Sequence, residues 1–199
     1  MRIGISQRTM VTEFGEKRDC LDQRWNSYLF ELGFQMVPIP GAITDLESFA
    51  LGLQIDGFIL SGGNDLAMTG EESADTQRDS LETAICSFAA NHRIPTVGIC
   101  RGFQMINVFE GGNVSPINHH AGSEHNVFDE CGLSHAVNSF HNYCVKKSEL
   151  ATSLTGLYFD QDGNVECAQN ELFLGIMWHP ERRQGDFINS RVKDFLNNG

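Results

Sequence analysis

The sequence has 199 residues, of which 26 are acidic and 14 are basic, so its formal net charge is −12. This length suggests one domain over residues 1–199, with a core that needs no disulfides. The negative charge argues against a nucleic-acid-binding protein, which needs a basic face. The longest apolar stretch, residues 172–178, is too short to cross a bilayer, and the first residues lack a signal-peptide pattern. We expect a cytoplasmic protein that binds neither nucleic acid nor membrane.

Short apolar runs alternate with helical patterns in the first half of the chain, which predicts parallel βαβ units. Thr44 is the expected N-cap of the second helix. The predicted strands cover residues 2–6, 34–39, 57–60 and 96–99, and the predicted helices cover residues 19–32, 45–53, 78–91 and 101–110.

The second half of the chain has a different pattern. Residues 119–141 are rich in His, Asn, Ser and Gly and show weak periodicity. Residues 157–168 predict a hairpin around Asp162-Gly163, followed by a buried strand over 172–178 and a helix over 187–196. The whole pattern predicts an α/β fold: an open, mostly parallel sheet flanked by helices, with a small antiparallel excursion near the C-terminus.

Cys100 stands out among the six cysteines because an apolar strand ends in Gly98-Ile99-Cys100-Arg101-Gly102 and a helix follows at once. This pattern is typical of a nucleophile elbow with Cys in place of Ser. The helix N-terminus favours a thiolate, and the N–H of Arg101 can face a developing oxyanion. The alternative is an ordinary strand-to-helix turn that happens to contain a cysteine.

A cysteine nucleophile needs a base, and His179 follows an apolar strand in Trp178-His179-Pro180-Glu181. In an extended segment Glu181 lies on the same side as His179 and can accept its Nδ1–H, so that Nε2 faces the sulfur. The alternative is a strand-end histidine paired with a carboxylate. Gly62 and Gly63, after the third strand, are candidates for a second oxyanion N–H, although glycine-rich turns are common.

The chain contains three motifs in this order: residues 59–63 (Ile-Leu-Ser-Gly-Gly), residues 98–104 and residues 178–181. Together they resemble the signatures of class I glutamine amidotransferase domains, which have a flavodoxin-like fold, and the resemblance covers nearly the whole chain. It implies a triad of Cys100, His179 and Glu181 that attacks the γ-carbonyl of a glutamine-like amide. It also implies that Gln104 binds the glutamyl group.

Within this family, residues 137–142 (Val-Asn-Ser-Phe-His-Asn) are similar to the γ-glutamyl hydrolase branch, which releases an amine to water. The chain has no room for a synthase domain, so no obligate synthase partner is expected. Residues 3–8, 60–66 and 138–142 are more closely similar to hydrolases of γ-glutamyl-CDP-amidate in capsule phosphoramidate synthesis. That resemblance implies a small-molecule nucleotide conjugate as substrate, with glutamate and CDP-amidate as products.

Three other functions stay open: a general γ-glutamyl-amine hydrolase of the γ-aminobutyrate type, a glutaminase subunit of a partner synthase, and a non-enzymatic binding protein. An acidic protein that binds a pyrophosphate needs local cations. Arg8, just past the first strand, is the main candidate. Arg78 and Arg101 are further candidates for that role. The candidate polar contacts to the glutamyl head group or phosphate are Asn64, Asn138 and Ser139.

The histidine-rich segment raises the question of a metal site. No spacing among His119, His120, His125, His135 and His141 matches a strong ligand motif. A thiol mechanism also needs no metal. We therefore expect no metal and no cofactor, and interpret these histidines as solvated or pocket-lining side chains.

Overall fold

A computed structural model describes residues 1–118 and 120–198 of the chain. The strands are β1 (Arg2–Ile5), β2 (Arg8–Val11), β3 (Lys17–Cys20), β4 (Gln35–Pro38), β5 (Gly57–Leu60), β6 (Thr96–Ile99), β7 (Ser115–Pro116), β8 (Ser123–Asp129), β9 (Ser134–Ser139), β10 (Tyr143–Lys146), β11 (Thr155–Phe159), β12 (Asn164–Gln169) and β13 (Phe173–Ile176). The α-helices are α1 (Arg24–Leu32), α2 (Leu46–Gly52), α3 (Thr76–His92), α4 (Arg101–Phe109) and α5 (Asn189–Asn198).

One sheet of eleven strands contains all the described strands except β2 and β3, which form a separate hairpin. Its order is β4-β1-β5-β6-β13-β12-β11-β8-β9, and β10 pairs with both β12 and β7. The first five strands in this order, from β4 to β13, run parallel to one another. The strands from β13 to β9 pair antiparallel. The predicted α/β fold, with a parallel sheet flanked by helices and an antiparallel part towards the C-terminus, is confirmed.

Helices cover both faces of the parallel strands because successive side chains of a strand point to opposite faces. Along β5, Phe58 and Leu60 pack in a core with α2, α3 and α4. Ile59, between them, packs in a second core with α1 and α5. These strands are buried on both sides, which explains why they read as continuous apolar runs.

The first helix begins later than its apolar spacing predicts. The pattern over residues 19–32 predicts one helix, but the helix starts at Arg24 because β3 (Lys17–Cys20) precedes it. The carboxylate of Asp19 accepts a hydrogen bond from the Gly41 N–H at 2.8 Å, which ties this strand to the loop after β4. A tertiary contact therefore overrides the local helical pattern.

The starts of two helices also differ from the sequence prediction. Asp45, and not Thr44, caps α2, since its carboxylate accepts from the Ser48 N–H at 2.9 Å. Helix α3 starts at Thr76 rather than two residues later, because Asp75 accepts from the first backbone N–H groups. In both cases an aspartate satisfies N–H groups that the first helical turn leaves without partners.

The histidine-rich segment forms β8 and β9, a hairpin at the edge of the sheet that the sequence did not predict. Val127 and Val137 are the fully buried apolar side chains of this hairpin, so its sequence lacks a clear apolar alternation. His119 lies outside the described residues. The hairpin predicted over 157–168 is confirmed as β11 and β12. In the described part of the chain, no helix is both long and apolar enough to cross a membrane.

Candidate active site

The carboxyl ends of three neighbouring parallel strands define the site. Leu60 of β5 lies opposite Gly98 of β6, and Gly98 lies opposite Gly175 of β13. The segments that follow these strands therefore leave the sheet at the same edge. The Cys100 N–H donates to the Ile176 carbonyl at the end of β13 at 2.7 Å, which holds Cys100 next to that strand. Open α/β sheets place their ligand sites at this edge.

Cys100 stands in a strained turn between β6 and α4, with φ 55° and ψ −108°. Two glycines permit the turn. A Cβ on Gly98 would lie 2.4 Å from the Gly102 carbonyl oxygen, and a Cβ on Gly102 would lie 2.0 Å from the Leu60 carbonyl oxygen. Neither position can hold a side chain without displacing backbone. The nucleophile-elbow geometry expected from the sequence is therefore present around Cys100.

His179 lies between Cys100 and Glu181. Its Nδ1 is 2.6 Å from Oε1 of Glu181. On the other side, a Cβ on Gly62 would lie 2.7 Å from the His179 Cε1 and 3.5 Å from the Cys100 Cβ. Glu181 reaches the histidine from a short 3-10 helix, Pro180–Arg182, and not from the extended segment that the sequence predicted.

The charge state of His179 follows from these neighbours. Burial favours the neutral imidazole, but the Cys100 sulfur and the Glu181 carboxylate outweigh burial and raise the His179 pKa to about 9. The imidazole is therefore protonated at neutral pH and lies beside the Cys100 sulfur. Such a pair combines an activated nucleophile with a proton donor for a leaving group.

We expect the pKa of His179 to fall in the variant Cys100→Ala, because the sulfur contributes more to raising it than Glu181 does. Titration of the imidazole nitrogen signals by NMR measures this pKa in both proteins. Cys131→Ala, which removes an exposed thiol, is the matched control and should leave the value near 9. An unchanged pKa in Cys100→Ala would show that the sulfur and the imidazole do not interact.

Asn138 positions the histidine backbone. Its Oδ1 accepts from the His179 N–H at 2.8 Å, and its Nδ2 donates to the His179 carbonyl at 2.9 Å. The sequence interpretation made Asn138 and Ser139 substrate contacts. Both the oxygen and the nitrogen of the Asn138 side-chain amide are engaged in these bonds, and Ser139 is fully buried. In this structure Asn138 holds the backbone of His179, and a substrate contact by Asn138 or Ser139 stays a prediction.

Two further candidate substrate contacts also bond to backbone. The Asn64 side chain accepts from the Thr9 N–H at 2.8 Å and donates to the Thr9 carbonyl at 3.1 Å. It therefore joins β2 to residues 61–64, the segment after β5 that we call the glycine loop. The Gln104 amide donates to the Tyr143 carbonyl at 3.0 Å and is almost fully buried. Sequence reasoning missed these roles because the partners are distant in the chain.

Arg78 and Arg101 are buried beneath the glycine loop and are not available to bind phosphate, in contrast to the sequence interpretation. The Arg78 guanidinium donates to the backbone carbonyls of Ser61 (2.6 Å), Gly62 (3.3 Å) and Gly63. Five donors on one rigid group can hold several carbonyls at once. Arg78 therefore fixes the backbone of the glycine loop beside His179.

Glu82 compensates the charge of both arginines. It is fully buried, pairs with Arg78 at 2.9 Å and with Arg101, and accepts from the Ser6 hydroxyl at 2.7 Å. Asp79 adds a second carboxylate to Arg101. Burial alone would raise the pKa of Glu82, but the two arginines hold it below its ordinary value. The network therefore supports the glycine loop from below with paired buried charges.

A cleft of about 260 Å³ opens above His179 and Glu181. Arg8 lines it and packs against Gly63, where a Cβ would lie 3.1 Å from the Arg8 Cδ. Arg182 also lines it, with its guanidinium 4.5 Å from the centre of the Phe140 ring. Sequence reasoning missed Arg182, although it directly follows Glu181. A larger cleft, about 600 Å³, lies beside α5 and contains none of these residues.

The sheet order and the cysteine elbow define an α/β protein of the class I glutamine amidotransferase-like type. The sequence pattern of the Peptidase C26 family matches residues 3–132 and 121–181. The chain belongs to this family, as the three motifs predicted. The family supports assignment as a hydrolase.

Curated relatives and a solved structure agree with this membership. The chain is 36% identical to the gamma-glutamyl-CDP-amidate hydrolase of Campylobacter jejuni, over 93% of this chain and 92% of that protein. It is 27% identical to the gamma-glutamyl-gamma-aminobutyrate hydrolase PuuD of Escherichia coli K12, over 89% and 85%. A glutamine amidotransferase of Thermotoga maritima superposes with a TM-score of 0.67 at 15% identity, over 98% of this chain and 84% of that one, which shows the shared fold.

Proposed function

We propose that the protein is a cysteine-dependent hydrolase that cleaves a γ-glutamyl amide bond through a thioester. Cys100 is the nucleophile, His179 is the base and acid, and Glu181 orients His179. The observation that carries this proposal is the position of His179, which contacts Glu181 at 2.6 Å and has a pKa raised by Cys100. In this function residues 1–199 form one domain that acts without a synthase partner.

The reaction has two steps. The Cys100 sulfur attacks the γ-carbonyl carbon, and the N–H groups of Arg101 and of Gly62 or Gly63 hold the oxyanion. His179 gives its proton to the leaving nitrogen, the C–N bond breaks, and the amine departs. Water then attacks the thioester and gives a proton to His179, which releases glutamate and restores the ion pair.

The substrate we propose is γ-glutamyl-CDP-amidate, with CDP-amidate as the released amine. A relative of that name shares 36% identity over 92% of its length. Arg8 and Arg182 supply positive charge at the cleft of a chain whose net charge is −12. A neutral leaving amine needs no such cations, whereas a pyrophosphate does.

Glutamate release by the purified chain tests this substrate. γ-Glutamyl-CDP-amidate, γ-glutamyl-γ-aminobutyrate and L-glutamine are compared at equal concentrations. We expect a kcat/KM at least about 100-fold higher for the CDP-amidate, since two cations contact its phosphates. Equal rates on simple γ-glutamyl amines would favour a general hydrolase, which the 27% identity to PuuD supports. No glutamate release from any of the three compounds would favour a glutaminase subunit that depends on a partner.

Arg8→Gln should lower kcat/KM for γ-glutamyl-CDP-amidate by about 10- to 100-fold, the value of one charge-assisted hydrogen bond. The rate on γ-glutamyl-γ-aminobutyrate, which lacks phosphate, should change little. Arg93→Gln removes an exposed arginine that pairs with Glu171 outside the cleft and is the matched control. An equal loss on both substrates would mean that Arg8 supports the fold of the site and does not contact phosphate.

A further inference from the structure

We propose that the protein binds a divalent metal ion of the zinc type through four side chains: His120, His125, His141 and Glu166. We call these four residues the His-Glu cluster. His125 and Glu166 lie on the antiparallel strands β8 and β12, and His120 and His141 lie on the adjoining loops. None of them takes part in the cysteine chemistry above. Three imidazoles and one carboxylate form a ligand set that suits Zn²⁺.

The donor atoms already converge. One ligand atom each from His120, His125 and Glu166 lie within 4.8 Å of one another. The His125 Nε2 is 3.4 Å from Oε2 of Glu166, and the His141 Nε2 is 3.8 Å from Oε1 of the same carboxylate. Ligands bound to zinc at about 2 Å stand roughly 3.3 Å apart, so small side-chain movements complete the site.

Unpartnered polar atoms point to a ligand in the cluster. Glu166 is fully buried, and among the described residues neither of its oxygens has a hydrogen-bond partner. Both ring nitrogens of His125 and the Nε2 of His141 also lack hydrogen-bond partners among these residues. An unpaired buried carboxylate is costly, and buried polar groups in folded proteins nearly always have partners. One cation would bind the Glu166 carboxylate together with one ring nitrogen each of His125 and His141.

The surroundings orient the ligands as in a structural metal site. The Nδ1 of His141 is 3.0 Å from the Tyr143 carbonyl, which directs Nε2 towards the cluster. Such outer contacts are characteristic of metal-bound histidines. Asp160 lies 4.0 Å from His120, but its carboxylate accepts from the Asn164 amide at 2.7 Å, so it is a neighbour of the cluster.

Four protein ligands close the coordination of zinc and leave no position for a substrate, which is typical of a structural site. The ion would join the His-rich hairpin to β12. The Glu166 carbonyl accepts from the Met177 N–H at 2.7 Å, in the segment that leads to His179. The ligands come from three stretches of the chain: His120 and His125 at the start of the histidine-rich hairpin, His141 after it, and Glu166 on β12. This is why residue spacing alone led to the expectation of no metal.

Metal content of the full chain, purified without a histidine tag, tests the proposal. After loading with Zn²⁺ and removal of free ion, elemental analysis should find about one Zn²⁺ per chain. Glu166→Gln and His125→Gln should each bind Zn²⁺ at least about tenfold more weakly. His135→Gln is the matched control, because His135 lies in the same hairpin but stacks on Phe187 with ring centres 3.9 Å apart. It should keep full binding.

A second measurement does not depend on the folding of the variants. Co²⁺ bound by the wild-type chain should give the intense visible absorption of a four-coordinate site, and Zn²⁺ should displace it. Zn²⁺ should also raise the melting temperature, and a chelator should reverse that rise. Wild-type protein that retains no metal, or a Co²⁺ spectrum like that of the hydrated ion, would overturn the proposal. Equal Zn²⁺ binding by Glu166→Gln and His135→Gln would overturn it as well.

Discussion

Replacing Cys100 by Ala is expected to lower kcat for γ-glutamyl hydrolysis by at least about 10³-fold, because the members of a catalytic triad act as a unit. Without the sulfur, no thioester forms, and only the oxyanion N–H groups and substrate binding remain. Glutamate release under single-turnover conditions measures the loss. Trapping of a glutamyl-enzyme by mass spectrometry in wild-type protein, and its absence in the variant, identifies the attacking atom.

The control for this experiment is Cys131→Ala, since Cys131 is an exposed free cysteine outside the site. It should keep the wild-type rate. Glu181→Gln should lose less activity than Cys100→Ala, because Glu181 orients His179 and transfers no proton. A Cys100→Ala variant that folds and retains activity within about tenfold of wild type would exclude Cys100 as the nucleophile.

Replacing Glu82 by Gln is expected to lower the free energy of unfolding by about 3–5 kcal/mol, the usual cost of removing one partner from a buried ion pair. The variant keeps the shape of the side chain but removes the negative charge between Arg78 and Arg101. Both arginines are 2% exposed, so water cannot replace the lost charge. Urea unfolding followed by circular dichroism measures the change.

Glu31→Gln is the matched control, because Glu31 is an exposed helical glutamate on α1. It should change the free energy of unfolding by less than about 0.5 kcal/mol. Glu82→Gln should also lower kcat below its melting temperature, since Arg78 holds the carbonyls of the glycine loop beside His179. Equal stability of the two variants would show that the buried network contributes nothing to the fold.

Several features of this protein were predictable because their causes are local. The strands over 57–60 and 96–99 have the predicted bounds, since continuous apolar runs suit strands buried on both faces. Two hairpins were not predicted. The strands β2 and β3 are largely exposed, and β8 and β9 bury few apolar side chains, so neither hairpin shows the apolar alternation that identifies a strand. Asp45 caps α2 where the sequence predicted Thr44, and α3 begins two residues before its predicted start, since the choice of cap depends on where the preceding loop lies.

The local sequence determined that Cys100 stands in a strained strand-to-helix turn, because the flanking Gly98 and Gly102 remove side chains that would collide with backbone there. It also determined that Glu181 accompanies His179, only two residues away. Such short-range constraints act through chain geometry and need no distant partner.

Only the tertiary structure decided the rest. The parallel register of β6 and β13 brings Cys100 to His179, because the ends of neighbouring strands share one edge of the sheet. The same long-range packing placed Asn138 against the His179 backbone and brought His120, His125 and His141 close to Glu166. Residue types and spacing do not record such contacts, since they depend on which distant segments the fold places side by side.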